Sequence, residues 1–549
     1  MIGEKPPSSP APPEAESRRR RPGFALFAAL AAVVLVVAAY AVAIFALSGA
    51  SVGADSSALA RVDLQAFGGT VERVKATGPN GQPIPVSFRD GRLTPRRELE
   101  PGERVAVEVV VRRPGWIGWL AGDEERKRVV LRAPRAQVGA RWLTVAKDGV
   151  PRIAFDRAVH SVAYGTPGEL TRRTFDRPRR SIVVGSGHPA GSVVVAAAAR
   201  PWERLGSFQS VTWFPAASSP VVAAGPQPGA EVSPATPLRL TFSKPVAAVL
   251  GSQRPQLSPE VQGSWRRTDS HTLVFEPHGY GAGFGAKLKA ELPKPLELVQ
   301  PDGSMRRSSE VDWTVAPGST LRLQQLLARA GYLPVEWKQH GSPVAGTPEA
   351  QVRAAVDPPR GSFTWRYPNT PSALRELWSA GEENTITKGA VMAFEDEHEM
   401  EADGVAGPEV WKLLMEDEIA GKRKPEGGYS YVYVSEGSPE TVTLWHNGKQ
   451  VLSGPANTGI PGAETELGTF PVFEHLEETT MSGENPDGSH YEDPGIKWVS
   501  YFNGGDALHA FDRPSYGSPQ SLGCVEMPLE EAEQVYPYTP IGTLVTVAG

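Results

Sequence analysis

The sequence predicts a multidomain, mainly β protein with an N-terminal transmembrane helix. Its 549 residues exceed what one hydrophobic core usually organises, so we expect several domains. Glycine (57 residues) and proline (52 residues) favour many turns over long helices. Between Asp55 and Pro317, short β-branched runs such as "RVAVEVVV" and "HTLVFEP" alternate with Gly, Pro and Asp clusters, a pattern typical of strands.

The N-terminal region has the pattern of a membrane anchor. Residues 1–22 are rich in proline and carry four consecutive arginines at 18–21, which predicts a disordered, basic cytoplasmic tail. Residues 23–47 carry no charge and are long enough to cross a hydrocarbon core of ~30 Å. Arginines before the helix predict a single pass in the cell membrane, with a cytoplasmic N-terminus and an extracytoplasmic remainder. The alternative is a cleaved signal peptide, although its apolar region is usually about half this length.

Charge and composition exclude one class of partner. The net charge is −6, and lysine and arginine form no stripe beyond the N-terminus. Without a basic field, the chain is not expected to bind nucleic acid.

Three β modules are expected after the helix, at residues 55–135, 136–217 and 218–317. "RIAFDRAVHSV" (152–162) and "RLTFSKPVAAV" (239–249) form a faint internal repeat, and a tryptophan-containing strand follows each. Regularly spaced short strands favour tandem β-sandwiches. Through "PATPLRLTFSKPV" the third module resembles bacterial Ig-like domains, and this resemblance implies a spacer or scaffold without chemistry.

Helical periodicity appears at residues 319–420. "LRLQQLLARAGYLP", "AVMAFEDE" and "DGVAGPEVWKLL" place apolar residues at helical spacing. These segments resemble a small three-helix peptidoglycan-binding domain, with Glu395 where that family usually has Gln and an unusual insert between its first two segments. Retained and lost glycan binding both remain open.

Cys524, in "PQSLGCVEMP", is the chain's one cysteine. Outside the cytoplasm cysteines usually pair, so a lone one is an intermolecular bridge, a buried thiol or a nucleophile. His509 precedes it by fifteen residues, and the turn-rich loop between them would allow the two side chains to meet. The amides of Gly523 and Cys524 are natural donors to an oxyanion.

The C-terminal span, 428–549, resembles the L,D-transpeptidase catalytic domain of YkuD-like fold. "VTLWHNGKQVLSGPANTGIPGAETELGTFPV" and "ALHAF…SLGCVEM" carry the resemblance. Two departures stand out: Leu522 replaces the signature's second histidine, and Glu526 replaces its usual arginine or asparagine. The resemblance assigns roles as follows: Cys524 as nucleophile; His509 as general base, oriented by the Ala510 backbone carbonyl; backbone amides of Leu522, Gly523 and Cys524 as oxyanion donors; Tyr491, Ser521 and Glu526 as substrate contacts.

This resemblance implies a membrane-anchored enzyme that makes 3→3 cross-links in peptidoglycan at the cell wall. Its partners would be peptidoglycan stem peptides, and carbapenem-type β-lactams would be inhibitors. Water as acceptor would make it an L,D-carboxypeptidase, and loss of turnover through Leu522 and Glu526 would leave a non-catalytic peptidoglycan-binding scaffold. No cofactor or metal is expected, because His446, His475 and His490 lack ligand spacing.

Overall fold

The structure, a computed structural model, describes residues 22–146, 149–166, 168–185, 190–424 and 428–549. The predicted tail lies outside these residues except for Pro22. The chain divides into two compact units, the first ending at Trp213 and the second beginning at Phe214. Strands dominate both units, which confirms the predicted mainly β, multidomain class.

The first element is the uncharged helix α1 (Pro22–Leu47). Its segment Ala29–Leu47 is long and apolar enough to cross a membrane, a test that a signal sequence also passes. Large apolar side chains such as Leu35 and Val36 are exposed along it.

The described residues in the rest of the first unit form three sheets. Two four-stranded sheets, ordered β1-β2-β6-β5 and β4-β3-β7-β8, enclose one core that includes Leu93 and Val107. The strands after residue 136 form one sheet, ordered β11-β10-β12-β13-β9. The elements are β1 (Ala50–Ala54), β2 (Ala60–Leu64), β3 (Thr70–Thr77), β4 (Pro83–Ile84), β5 (Val86–Arg89), β6 (Arg92–Pro95), β7 (Arg104–Arg112), α2 (Gly115–Ala121), β8 (Glu124–Arg132), β9 (Trp142–Val145), β10 (Arg152–Thr166), β11 (Glu169–Val183), β12 (Gly191–Ala198) and β13 (Gln209–Pro215).

The second unit opens with an eight-stranded sheet. Its order is β15-β21-β20-β14-β16-β19-β18, and β17 pairs with β20. Alternate residues of β16 and β20, such as Leu240 and Ala290, are fully buried in its core. The elements are β14 (Val221–Gly225), β15 (Glu231–Val232), β16 (Leu238–Phe242), α3 (Val246–Leu250), β17 (Gln256–Ser258), β18 (Gly263–Arg267), β19 (Thr272–Pro277), β20 (Lys287–Val299) and β21 (Met305–Val315).

A helical module follows, and the insert noted in the sequence adds elements of its own. Two further helices and the hairpin β22–β23 lie between the first and second predicted segments, in addition to helices at the three predicted segments. Asn384 caps α7 by accepting a hydrogen bond from the Thr387 amide. The elements are α4 (Thr320–Ala330), β22 (Val335–Gln339), α5 (Pro348–Val356), β23 (Gly361–Trp365), α6 (Ser372–Glu376), α7 (Thr385–Glu397) and α8 (Pro408–Ala420).

Two sheets and a helix form the C-terminal domain. A five-stranded sheet, β26-β25-β24-β32-β27, packs against a four-stranded sheet, β28-β29-β30-β31, around residues such as Val432, Leu508 and Val525. Asn447 and Gly448 form the turn between β25 and β26, and both have positive φ, as an Asn-Gly hairpin turn requires. The elements are β24 (Ser430–Ser435), β25 (Thr441–His446), β26 (Lys449–Pro455), β27 (Gly468–Pro471), β28 (Glu474–Glu484), β29 (His490–Asn503), β30 (Asp506–Ala510), β31 (Val525–Met527), α9 (Leu529–Val535) and β32 (Leu544–Ala548).

The helical module and the C-terminal domain share a core. Buried Ile386 and Phe394 of the module lie in one cluster with Tyr431 and Leu544 of the domain. Gly389 of α7 lies against Gly542, so close that an added Cβ would stand 2.5 Å from the Gly542 carbonyl oxygen. The two regions are therefore joined by packing as well as by the linker.

Gly389→Ala tests this junction. Alanine usually favours a helix by about 1 kcal/mol, but here its methyl group would overpack against backbone. We expect a net loss of about 1–3 kcal/mol in the free energy of unfolding of the second unit, measured by denaturant unfolding. Gly346→Ala, where an added Cβ meets nothing within 4 Å, is the control. Equal stability of the two variants would contradict close packing at Gly389.

Candidate active site

Cys524 and His509 belong to neighbouring parallel strands. β31 begins one residue after Cys524 and pairs with β30 so that Val525 lies beside Leu508. Since side chains alternate between the faces of a sheet, Cys524 and His509 project from the same face, two residues apart along the strands. Strand spacing and rise put their Cα atoms about 8 Å apart, within the combined reach of the two side chains.

The His509 ring is held in one tautomer. Its Nδ1 lies 2.9 Å from the Ala510 carbonyl oxygen, which only accepts, so Nδ1 carries the proton. The lone pair is therefore on Nε2. Burial lowers the pKa of His509, whose side chain is only 3% exposed, and keeps the ring neutral at pH 7. A neutral imidazole with a free Nε2 is the form that accepts a proton.

The Cys524 thiol is half-buried against an apolar cluster that includes Ile496, Val499 and Ala507. Its Sγ lies 3.5 Å from the Gly505 carbonyl oxygen. Burial raises the pKa of Cys524 to about 12, and the carboxylates of Asp506 and Glu526 contribute in the same direction. The resting group is thus a thiol, and it needs a base at the moment it attacks.

A tight turn presents Cys524. The Ser521 hydroxyl donates to the Cys524 carbonyl oxygen (2.5 Å) and accepts from the Gly523 amide (3.3 Å). Gly523 has φ +115°, and an added Cβ would stand 2.5 Å from Asp506 Oδ1. Only glycine fits there. The Ser521 amide donates to the Thr458 carbonyl, which fixes the turn to the domain.

Three backbone amides are predicted to bind an oxyanion. The Gly523 amide donates to the Ser521 hydroxyl. The Leu522 and Cys524 amides have no acceptor within the described part of the chain. The turn therefore offers two backbone donors next to the sulfur. Such donors stabilise an oxyanion because their orientation is fixed before charge develops.

Sequence reasoning missed the partner of Glu526. Arg513 donates from Nε to Glu526 Oε2 (2.8 Å) and from Nη2 to Oε1 (2.7 Å), a bidentate ion pair. Arg513 also donates to the Gln520 carbonyl and lies over the Phe511 ring, 4.5 Å from its centroid. Glu526 is 3% exposed. Glu526, which departs from the family pattern, is therefore a carboxylate whose charge is balanced by Arg513 in the preceding loop.

Ser521 and Glu526, both predicted to contact substrate, have buried side chains with internal partners. Their polar groups are therefore already hydrogen-bonded within the site. Leu522, by contrast, is half-buried and leaves the position of the missing histidine apolar.

Two tyrosines lie near the thiol. The Cys524 sulfur contributes, after burial, to the raised pKa of both Tyr491 and Tyr501. Tyr491, predicted as a substrate contact, lies on β29 opposite Gly483, and a Cβ added at Gly483 would stand 2.7 Å from the Tyr491 hydroxyl. Tyr501 belongs to the same apolar cluster as Cys524. Tyr501 is 23 residues from Cys524 in the sequence, and no motif links the two. They come close only because β29 pairs with β30 and β30 with β31.

No group of three or more His, Cys, Asp or Glu side chains that would hold a metal ion occurs among the residues described.

Comparison with known families identifies the domain around this site. Residues 429–547 match the YkuD family, described as the L,D-transpeptidase catalytic domain. No curated protein matches the chain.

Solved structures similar to this chain are also L,D-transpeptidases. The catalytic domain of the Enterococcus faecium enzyme, free or acylated by ertapenem, is 26% identical, with 23% of this chain and 100% of that one covered and a TM-score of 0.21. L,D-transpeptidase 3 from Mycobacterium tuberculosis is 12% identical, with 59% and 97% covered and a TM-score of 0.20. These scores are too low to transfer geometry, so the assignment rests on the family match.

The raised pKa of Cys524 predicts a particular pH dependence of alkylation. Below a pKa of about 12 the thiol stays protonated, so the iodoacetamide rate constant should rise about tenfold per pH unit from pH 6 to 9 without a plateau. The urea-unfolded chain, whose thiol has a pKa of about 8.5, serves as control and should begin to level off near pH 9. A plateau near neutral pH in the folded protein would indicate a resting thiolate and contradict this account.

The buried ion pair predicts a rescue experiment. Arg513→Met leaves the Glu526 carboxylate buried without its cation and should lower the free energy of unfolding by roughly 3 kcal/mol. Adding Glu526→Gln removes the orphaned charge and should restore most of that loss, as measured by denaturant unfolding. Lys289→Met, in the exposed pair with Glu310, is the control and should cost under about 1 kcal/mol. If Arg513→Met costs no more than this control, the pair does not stabilise the site.

Proposed function

We propose, on the premise that residues 429–547 are an L,D-transpeptidase catalytic domain, that this chain forms 3→3 cross-links in peptidoglycan through a Cys524 acyl-enzyme. The observation that carries the proposal is the tautomer of His509. Its Nδ1–H is bonded to Ala510, which leaves Nε2 as a base on the strand beside the cysteine. The same domain supplies two backbone donors at the turn.

In the first step Cys524 is acylated. Its sulfur attacks the carbonyl carbon of the third residue of a tetrapeptide stem, and the thiol proton passes to His509 Nε2. The amides of Leu522 and Cys524 hold the oxyanion. The intermediate collapses with cleavage of the C–N bond, and His509 returns its proton to the departing D-alanine amine.

In the second step an amine from another stem attacks the thioester. His509 accepts the proton of that amine, the C–S bond breaks, and the thiolate recovers a proton from the imidazolium. Water in place of the amine would release a tripeptide, which is the L,D-carboxypeptidase reaction.

The surrounding residues take supporting roles in this proposal. Tyr491 covers the bound stem as a lid, and Ser521 positions the Cys524 turn through its hydrogen bond to the Cys524 carbonyl. The Arg513–Glu526 pair lies beside His509 in the strand register and limits the negative field on the thiol. Carbapenems would acylate the same sulfur, since a strained lactam carbonyl is an acyl donor of the same type.

We further propose that α1 anchors the chain in the cell membrane with its N-terminus in the cytoplasm and the catalytic domain at the cell wall. Its length and lack of charge support this placement, together with the four arginines that precede it. A membrane anchor in this orientation would place the catalytic domain outside the cytoplasm, where peptidoglycan lies.

One observation favours the alternative, a non-catalytic peptidoglycan-binding scaffold. A half-buried thiol whose pKa is raised to about 12 is less reactive than the thiolates of many cysteine enzymes. The two proposals differ in whether product formation depends on Cys524.

The test uses the full chain in detergent, disaccharide-tetrapeptide and mass spectrometry of the products. We expect a cross-linked dimer that has lost one alanine, no product with Cys524→Ala, and a rate about 10²–10⁴-fold lower with His509→Ala. His490→Ala, an exposed histidine, is the control and should behave as wild type. Loss of alanine without dimer would indicate the carboxypeptidase, and absence of any Cys524-dependent product would favour the scaffold.

A further inference from the structure

An open groove of about 640 Å³ lies on the helical module, outside the catalytic domain. Three aromatic side chains line it: Trp337, Phe363 and Trp378. Pro358 and Pro359 form another part of the wall, and His340 and Arg360 lie at its edge. All seven residues lie between the first and second of the three predicted helical segments, so the groove is built mainly by the chain that interrupts them.

The aromatic rings hold one another in place. Trp337 on β22 and Phe363 on β23 are register partners, with ring centroids 4.7 Å apart. Phe363 meets Trp378 edge-on at 5.2 Å. Gly361 lets the Trp337 ring lie against the backbone, because an added Cβ would collide with that ring. The result is a fixed aromatic surface, which costs little ordering entropy on binding.

The surface combines the carbon faces of aromatic rings with polar groups at its edge, one of which is the Arg360 guanidinium. All three rings are partly exposed, and the Trp337 Nε1 is buried, so that ring offers carbon atoms to a ligand. His340 and Arg360 are exposed, and the His340 amide donates to the Arg360 carbonyl, which fixes the hairpin end that carries them. Apolar faces with a few polar groups at the edge suit a ligand that is itself two-sided.

A polysaccharide has this two-sided character, with C–H faces on each ring and hydroxyl groups around it. Peptidoglycan adds carboxylates on its stem peptides, which complement the positive charge of Arg360 at the edge of the groove. The groove lies in the same compact unit as Cys524, and the shared core that includes Phe394 and Leu544 joins the two regions. The Tyr367 hydroxyl adds a direct hydrogen bond to Asn447 Oδ1 (2.6 Å).

We propose that this aromatic groove binds a glycan strand of peptidoglycan, with Trp337, Phe363 and Trp378 against the sugar faces. The inference rests on the proposed function for the identity of the polymer. The insert would then hold the glycan strand whose stem peptides the catalytic domain would process.

Binding is tested with full-length protein and two probes: isolated sacculi in a pelleting assay, and glycan strands freed of stem peptides by amidase in a tryptophan-fluorescence titration. Trp378→Ala should weaken binding to both probes at least tenfold, and Trp378→Phe should restore most of it. Trp119→Ala, at an exposed tryptophan of the first unit, is the control and should change neither. Unchanged binding by Trp378→Ala would overturn the proposal, as would tight binding of a polyproline peptide with none of the stripped glycan.

Catalysis and binding are separated by the variants. Cys524→Ala should leave glycan binding unchanged, because the groove lies outside the catalytic domain. If wild type shows no cross-linking but binds glycan in a Trp378-dependent way, the proposed function fails and the groove assignment stands. If cross-linking occurs and glycan binding is independent of Trp378, the groove assignment alone fails.

Discussion

The parallel pairing of two short strands, β30 and β31, is the constraint on which the site depends. It sets Cys524 and His509 on one face of the sheet, two residues apart along the strands, although they are fifteen positions apart in the sequence. A shift of one residue would turn one of the two side chains to the opposite face. Asn457 secures this pairing from the other side, since its amide and carbonyl both bond to the Glu526 backbone.

Burial determines the protonation states of His509 and Cys524 on these two strands. It favours the neutral forms of both groups, lowering the pKa of His509 and raising that of Cys524. Nucleophile and base therefore start uncharged, and charge separates as the sulfur attacks. The Arg513–Glu526 pair agrees with this arrangement, because a buried carboxylate beside the imidazole is neutralised by a bidentate guanidinium.

Local signals made part of this structure predictable from sequence. The uncharged N-terminal helix, the Asn447–Gly448 turn and the helices of the module follow from composition, glycine conformation and periodicity. The candidate nucleophile and base could also be named, because the family motif "ALHAF…SLGCVEM" contains both His509 and Cys524. The ion pair of Arg513, the approach of Tyr501 and the aromatic groove could not, since each depends on pairing between distant segments. Tandem β-sandwiches remain a prediction for 136–217, where the described strands form one sheet.

The central claim, that Cys524 is an acylated nucleophile activated by His509, is tested most directly by intact-protein mass spectrometry after incubation with imipenem. The account predicts one covalent adduct per chain, located on the peptide that contains Cys524, absent from Cys524→Ala and formed far more slowly by His509→Ala. An adduct on another residue, or none under conditions in which the protein is folded, would contradict it.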